Sequence, residues 1–186
     1  FRSADQSRFV EIVTSMRPLR IARRRVRRWM RAERRAVGFP ECLTGARAEV
    51  HYQPLGCVGL ISPWNFPINL TVVPLAGILA AGNRAMIKPS EATPATAALL
   101  QEMFAASFAA DEVAVITGGV EVGKAFAALP FDHLLYTGNA GVAREIMAAA
   151  AANLTPLTLE LGGKCPVIVG HRADLGHVAR RVLFGK

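Results

Sequence analysis

Cysteine is scarce in this 186-residue sequence, with only Cys42, Cys57 and Cys165. The number is odd and no Cys-x-x-Cys pair occurs. A disulfide scaffold is thereby excluded, and free thiols in a reducing, cytoplasmic setting are expected. Aromatics are few, and charged residues make up 19% against 52% hydrophobic residues, which excludes a disordered chain. Acids are the scarcer charge, 14 against 22 Lys and Arg, for a net charge of +8. A bilayer span needs about 20 apolar residues. The longest apolar stretch, Ile68 to Ala81, is shorter and is broken by Asn69, Thr71 and Pro74, so no membrane span is expected. No apolar leader follows Phe1-Arg2-Ser3-Ala4-Asp5. The first residue is not Met, and Arg181-Val-Leu-Phe-Gly-Lys186 reads like the middle of an element, so both ends are expected to be cut.

The positive charge is local. Residues 17–35 hold ten Arg and one acid, Glu33, which leaves the remaining 167 residues at −1. Phe9, Ile12, Val13 and Met16 share one helical face. Pro18 is expected to interrupt. From Leu19, the residues Ala22, Val26, Trp29 and Met30 continue a three-four spacing on an amphipathic helix with an Arg-rich outer face. Gly38, Pro40 and Gly45 mark a loop, and Glu49 to Gln53 alternates as a strand does.

From Cys57 the pattern changes. Short apolar runs at 57–62, 85–88, 113–117, 133–136, 157–161 and 166–169 read as strands buried on both faces. Helical stretches separate most of them. Gly82-Asn83 stops one helix, Thr93 caps and Pro94 opens another, and Asp174 caps a last one. Strand–helix alternation predicts an α/β fold: a Rossmann-like parallel sheet with flanking helices, preceded by N-terminal helices. We divide it into a helical region at 1–50 and an incomplete nucleotide-binding domain at 51–186.

Ligands of such sheets sit beyond the carboxyl ends of the strands. Five strand ends carry the polar and glycine-rich residues: 63–65, 88–91, 118–119, 137–139 and 160–163. All five are expected at one crevice. Gly118-Gly119-x-x-x-Gly123 and Thr137-Gly138-Asn139 offer close approach to a phosphate at a helix start, or simply tight turns. Lys88 and Glu91 offer a donor and an acceptor for a ribose diol, or form a solvated surface pair. Asn65, between Trp64 and Phe66, offers an amide donor to an oxyanion, or serves a turn. Glu160 is a candidate general base, or a surface acid.

Together these residues resemble the aldehyde dehydrogenase superfamily. Pro63-Trp-Asn-Phe-Pro67, Ala80-Ala-Gly-Asn83, Lys88-Pro-Ser-Glu91, Tyr136-Thr-Gly-Asn139 and Glu160-Leu-Gly-Gly-Lys164 stand in the family's order and spacing. Tyr-Thr-Gly-Asn is similar to the class 3 and coniferyl-aldehyde branch. The resemblance covers 53–186 closely and 1–50 loosely.

It implies that a cysteine thiolate adds to the aldehyde, hydride passes to NAD or NADP, and water hydrolyses the resulting thioester. It implies catalytic roles for Asn65, as oxyanion donor, and Glu160, which activates the water. Trp64, Lys88, Glu91, Gly119, Gly123, Gly138, Asn139 and Leu161 would lie at the coenzyme. A carboxylate beside the ribose would favour NAD over NADP. The nucleophile would fall some eight residues past Lys186. Cys165, expected to be a buried structural thiol, is rejected as a substitute. Ala143 stands where many relatives have Gly, and its methyl is expected to crowd the helix–phosphate approach.

The resemblance also implies an aldehyde substrate and a homodimer in the full-length parent. The alternative is a dinucleotide-binding module without catalysis. A third reading takes the Arg-rich helix as a nucleic-acid or anionic-membrane contact. We prefer a solvated face, because no aromatic interleaving or groove-reading motif accompanies the charge.

Overall fold

In the computed structural model, residues 3–185 are described; Lys186, the last residue of the stretch 53–186 over which the resemblance is close, lies outside them. A helical run opens the chain as α1 (Ala4–Ser7), a π-helical segment (Arg8–Val13) and α2 (Thr14–Trp29). Pro18 does not break it: α2 runs through the proline, and the wide π turn lies just before it. β1 (Glu33–Arg35) and β2 (Ala48–Val50) then form a small antiparallel pair. The strand expected at 49–53 is therefore shorter and starts earlier, and its partner was hidden because Glu33-Arg-Arg35 has no apolar alternation.

The main sheet follows: β3 (Cys57–Ile61), α3 (Asn69–Ala80), β4 (Arg84–Lys88), α4 (Pro94–Ala105), β5 (Val113–Val115), α5 (Val120–Ala127), β6 (His133–Gly138), α6 (Ala140–Ala151), β7 (Leu157–Leu161) and α7 (Leu175–Gly185). Five parallel strands lie in the order β5-β4-β3-β6-β7. The chain builds outward from β3 through β4 and β5, then returns to the other side of β3. The switch point thus falls between β3 and β6, where such sheets open a crevice.

Strand alternation supplies two cores, one on each sheet face. Val58, Leu60, Ala85, Ile87, Val113 and Val115 pack with Leu75, Ile78, Leu100 and Phe104 of α3 and α4. On the other face Leu134 and Tyr136 pack with Phe126, Ala127, Ala143 and Ile146 of α5 and α6. Leu60, Ile87 and Leu134 are fully buried. Each such side chain stabilises the fold by about 1.5–3 kcal/mol.

Helix ends follow their sequence signals with one exception. Gly82 takes φ +81, where its N–H reaches the Leu79 carbonyl and the Asn83 N–H reaches Ile78, a two-bond C-cap. Asp174 Oδ1 accepts from Gly176 and His177 at the start of α7. Pro94 opens α4, but Thr93 makes no capping bond; its hydroxyl turns back to the Ser90 carbonyl.

One more expectation fails. Residues 166–169 form no strand, because no neighbouring strand offers a ladder there, and Ile168 is left exposed. Phe9, Ile12, Val13 and Met16 face outward, whereas the buried positions of that helix are Glu11 and Ser15.

Candidate active site

Four strand ends converge on a cleft of about 1090 Å³, large enough for an extended small-molecule ligand. Its floor is the C-terminal edge of β3, β4, β6 and β7, and α3, α5 and α6 contribute walls. Trp64, Asn65, Lys88, Glu91, Gly123, Gly138, Asn139, Glu160 and Leu161 all line it.

Gly119 does not. It sits at the N-terminus of α5, after β5, which is the sheet edge two strands away from the switch point. From that helix Val120, Gly123, Lys124 and Ala127 line the cleft. The fifth expected strand end, 118–119, is therefore not part of the crevice lining.

Lys88 ends β4 and is 2% exposed, so the solvated-pair reading fails. Its ammonium donates to the Pro89 carbonyl at 2.9 Å and lies 3.5 Å from Glu91 Oε2. Glu91 itself is half in water. The cleft floor therefore holds a buried cation beside a half-exposed carboxylate. A buried ammonium is costly unless paired and hydrogen-bonded, and both conditions are met here.

Asn65 lies in the loop between β3 and α3. Its Oδ1 accepts from the Phe66 N–H at 3.1 Å, which turns the carbonyl end of the amide back onto its own loop. The NH2 end is a donor. Beside it, Trp64 is 65% exposed at the cleft rim. Glu160 sits near the end of β7, in register with Thr137 of β6. Leu157 and Leu159 face α5 and α6, so strand alternation turns Glu160 toward the α3 side, the side of the Asn65 loop.

Tyr136 shapes the turn into α6. Its hydroxyl accepts from the Asn139 N–H at 3.1 Å and lies 3.4 Å from the Asn139 carbonyl. A Cβ on Gly138 would collide with that hydroxyl, so glycine is required there. Burial raises the phenol pKa above its ordinary value. The backbone bond to Asn139 partly offsets this, and the Glu91 carboxylate adds to the rise. Asn139 Oδ1 in turn caps α6 by accepting from Val142.

These features match a known family throughout. The aldehyde dehydrogenase family model matches residues 3–186. The chain belongs to the aldehyde dehydrogenase family. It is 54% identical, over its whole length, to a probable coniferyl aldehyde dehydrogenase of Caulobacter vibrioides, and 54% identical to a coniferyl aldehyde dehydrogenase of a Pseudomonas species. In both cases it spans 38% of the relative's length. A substrate-bound Staphylococcus aureus AldH aligns with TM-score 0.90 and 36% identity, over 96% of this chain and 39% of that one. A Mycobacterium tuberculosis aldehyde dehydrogenase complexed with NAD+ aligns with TM-score 0.68 and 37% identity, over 78% of this chain and 29% of that one.

Two family-based expectations need correction. Ala143 does not line the cleft: it is 2% exposed and buried against the sheet in the cluster that holds Phe126, Phe131 and Leu134. Cys165 is not a buried thiol. It is exposed, at φ +46, in the strandless stretch after β7, and it does not line the cleft.

Some anchoring residues of this cleft carried no usable signal. Ser62 and Thr71 lock the two ends of the Asn65 loop together, with their hydroxyls 2.7 Å apart and Thr71 Oγ1 2.6 Å from the Pro67 carbonyl. Two common hydroxyls nine residues apart give no pattern to read. Glu11, on the N-terminal helix, reaches the same loop from outside. Its one hint was an acid standing alone among Phe9, Val10, Ile12 and Val13.

Proposed function

We propose that this chain forms the coenzyme-binding part of an enzyme that oxidises an aldehyde, of the aromatic coniferyl kind, to the carboxylic acid with NAD or NADP. Residues 51–186 would carry that part and residues 1–50 a helical region packed on it. The observation that carries the proposal is the meeting of Asn65, Glu160 and the Lys88–Glu91 pair on one cleft at the switch point. The 54% identity to coniferyl aldehyde dehydrogenases supports the substrate class.

The residues fit a dinucleotide. Lys88 and Glu91 present a donor and an acceptor side by side, as a vicinal diol requires. Gly138 keeps the backbone beside the cleft bare, and Asn139 holds α6 in register. When bound, the nicotinamide supplies the hydride acceptor. Asn65 donates its amide N–H to the aldehyde oxygen as negative charge develops there. Glu160 takes a proton from the attacking water. Glu91 favours NAD, since a 2′-phosphate beside it is repelled.

Among the described residues no cysteine lines the cleft. We therefore place the nucleophilic thiol outside them, and the chain by itself acts as a dinucleotide-binding module. A homodimer of the parent enzyme, a cytoplasmic location and no nucleic-acid partner complete the proposal. Three free thiols are consistent with that location, and among the described residues no helix is long and apolar enough to cross a membrane.

Calorimetric titration of the chain with NAD+ and NADP+ tests this. NAD+ should bind more tightly, and Lys88→Met should weaken it. Glu91→Gln should narrow the preference about fivefold, the size of one screened charge contact. Incubation with coniferyl aldehyde and NAD+ should yield no NADH. Turnover by this chain, or coenzyme binding indifferent to Lys88, would sink the reading.

A further inference from the structure

The loop between β3 and α3 carries Asn65 and Trp64, and its inner end is tied down by the Ser62–Thr71 contact. Its outer end is tied by a residue far away in sequence. Glu11 is 4% exposed, and its Oε2 accepts from the Asn69 backbone N–H at 2.8 Å. Asn69 is the first residue of α3, and Ile68 before it makes no side-chain cap. The Leu70 N–H already returns to the Phe66 carbonyl at 2.9 Å, so the helical turn begins directly after Asn65. The Asn69 N–H is one of the donors a helix start leaves unpaired. A carboxylate is the best acceptor for such a donor, because it also meets the positive end of the helix. The Asn69 side chain completes the junction, with Nδ2 donating to Thr14 Oγ1 at 2.9 Å and Ser15 Oγ at 3.0 Å.

We infer that Glu11 is a positioning residue for the Asn65 loop: the N-terminal helix caps α3 in place of a local side chain and so fixes where the Asn65 amide stands. Its effect on chemistry rests on the proposed role of Asn65; its effect on the loop does not. This explains why Glu11 and Ser15, rather than Phe9, Ile12, Val13 and Met16, turn inward. A polar contact that sets a loop specifies the docking of the helix more narrowly than apolar contact alone.

Amide hydrogen exchange measured on the 186-residue chain is the test. Glu11→Ala should speed exchange at Asn69 and Leu70 about tenfold, the size of a lost N-terminal cap. Gly82 and Asn83, at the far end of the same helix, should keep their protection. Trp64 anisotropy, read in a Trp29→Phe background, should fall. Glu11→Gln keeps an acceptor oxygen and should restore most of both signals. Unchanged exchange at Asn69 in Glu11→Ala, an equal loss of protection at both ends of α3, or no recovery with Glu11→Gln would each overturn the inference. Exchange effects of Glu11→Ala that stand, together with an Asn65→Ala variant of the full-length parent enzyme that loses no turnover rate, would instead fault the reading of Asn65 and leave Glu11 standing.

Discussion

Tyr136 joins the core to the cleft through one hydroxyl. Its ring packs with Phe126, Phe131 and Ile146, and its Oη holds the backbone of Asn139. Burial lifts its pKa above 10.0, with Glu91 adding to the rise. Below pH 10.0 the phenol is protonated in both the folded and the unfolded chain, so its whole contribution is present. As pH rises from there toward the native value, the unfolded chain loses its proton first and stability falls. Phenolate absorbance in a Tyr52→Phe variant, which isolates Tyr136, should therefore rise above the ordinary phenol range, and stability should decline over the same interval. Titration at the ordinary value would show that the ring is not sheltered. At this scale the sequence was informative about identity and poor about environment. Lys88, Glu91, Asn65 and Glu160 stand out in their motifs. The 2% exposure of Lys88 and the core placement of Ala143 depend on which face of β4 and α6 they occupy, and no local pattern states that.

Among the elements, β3 through β7 were legible because each is a short apolar run closed by glycine or proline chemistry. The strand expected at 166–169 has the same composition and fails, since a strand exists only with a partner and none lies beside it. The end of α3 shows how a good signal works. Gly82 supplies the positive φ, and the Asn83 side chain does further work beyond the cap. Its Oδ1 accepts from Leu55 at 2.6 Å and Gly56 at 3.0 Å, and its Nδ2 donates to Ile78 at 3.3 Å. One buried amide thus fastens the entry to β3 to the exit of α3. Asn83→Ala leaves two backbone donors without that acceptor, and should cost about 1–3 kcal/mol in urea unfolding. Asn83→Asp keeps the acceptor oxygen and should cost less. An alanine variant as stable as the parent would mean that water replaces the amide at no loss.

For the molecule as a whole, charge and fold separate cleanly. All ten arginines of residues 17–35 are exposed, and none of those on α2 has an ion-pair partner among the described residues. The helix docks on α3 through its opposite side, where Ser7, Glu11, Ser15, Ala22 and Val26 lose exposure. We propose that the Arg-rich face is a solvated by-product of packing rather than a reader of nucleic acid: the helix is already seated on α3 by its opposite side, and its arginines are spread along an exposed surface beside the half-exposed Trp29. Such a surface still attracts polyanions by releasing their counterions, and this attraction collapses steeply with salt. The chain should therefore retain a random DNA duplex at low ionic strength and release it by about 200 mM salt, with no preference among sequences. Fluorescence anisotropy of a labelled duplex across a salt series checks this. Binding that persists above that salt, or that discriminates one sequence from another, would require base or shape contacts that the exposed face of α2 does not provide.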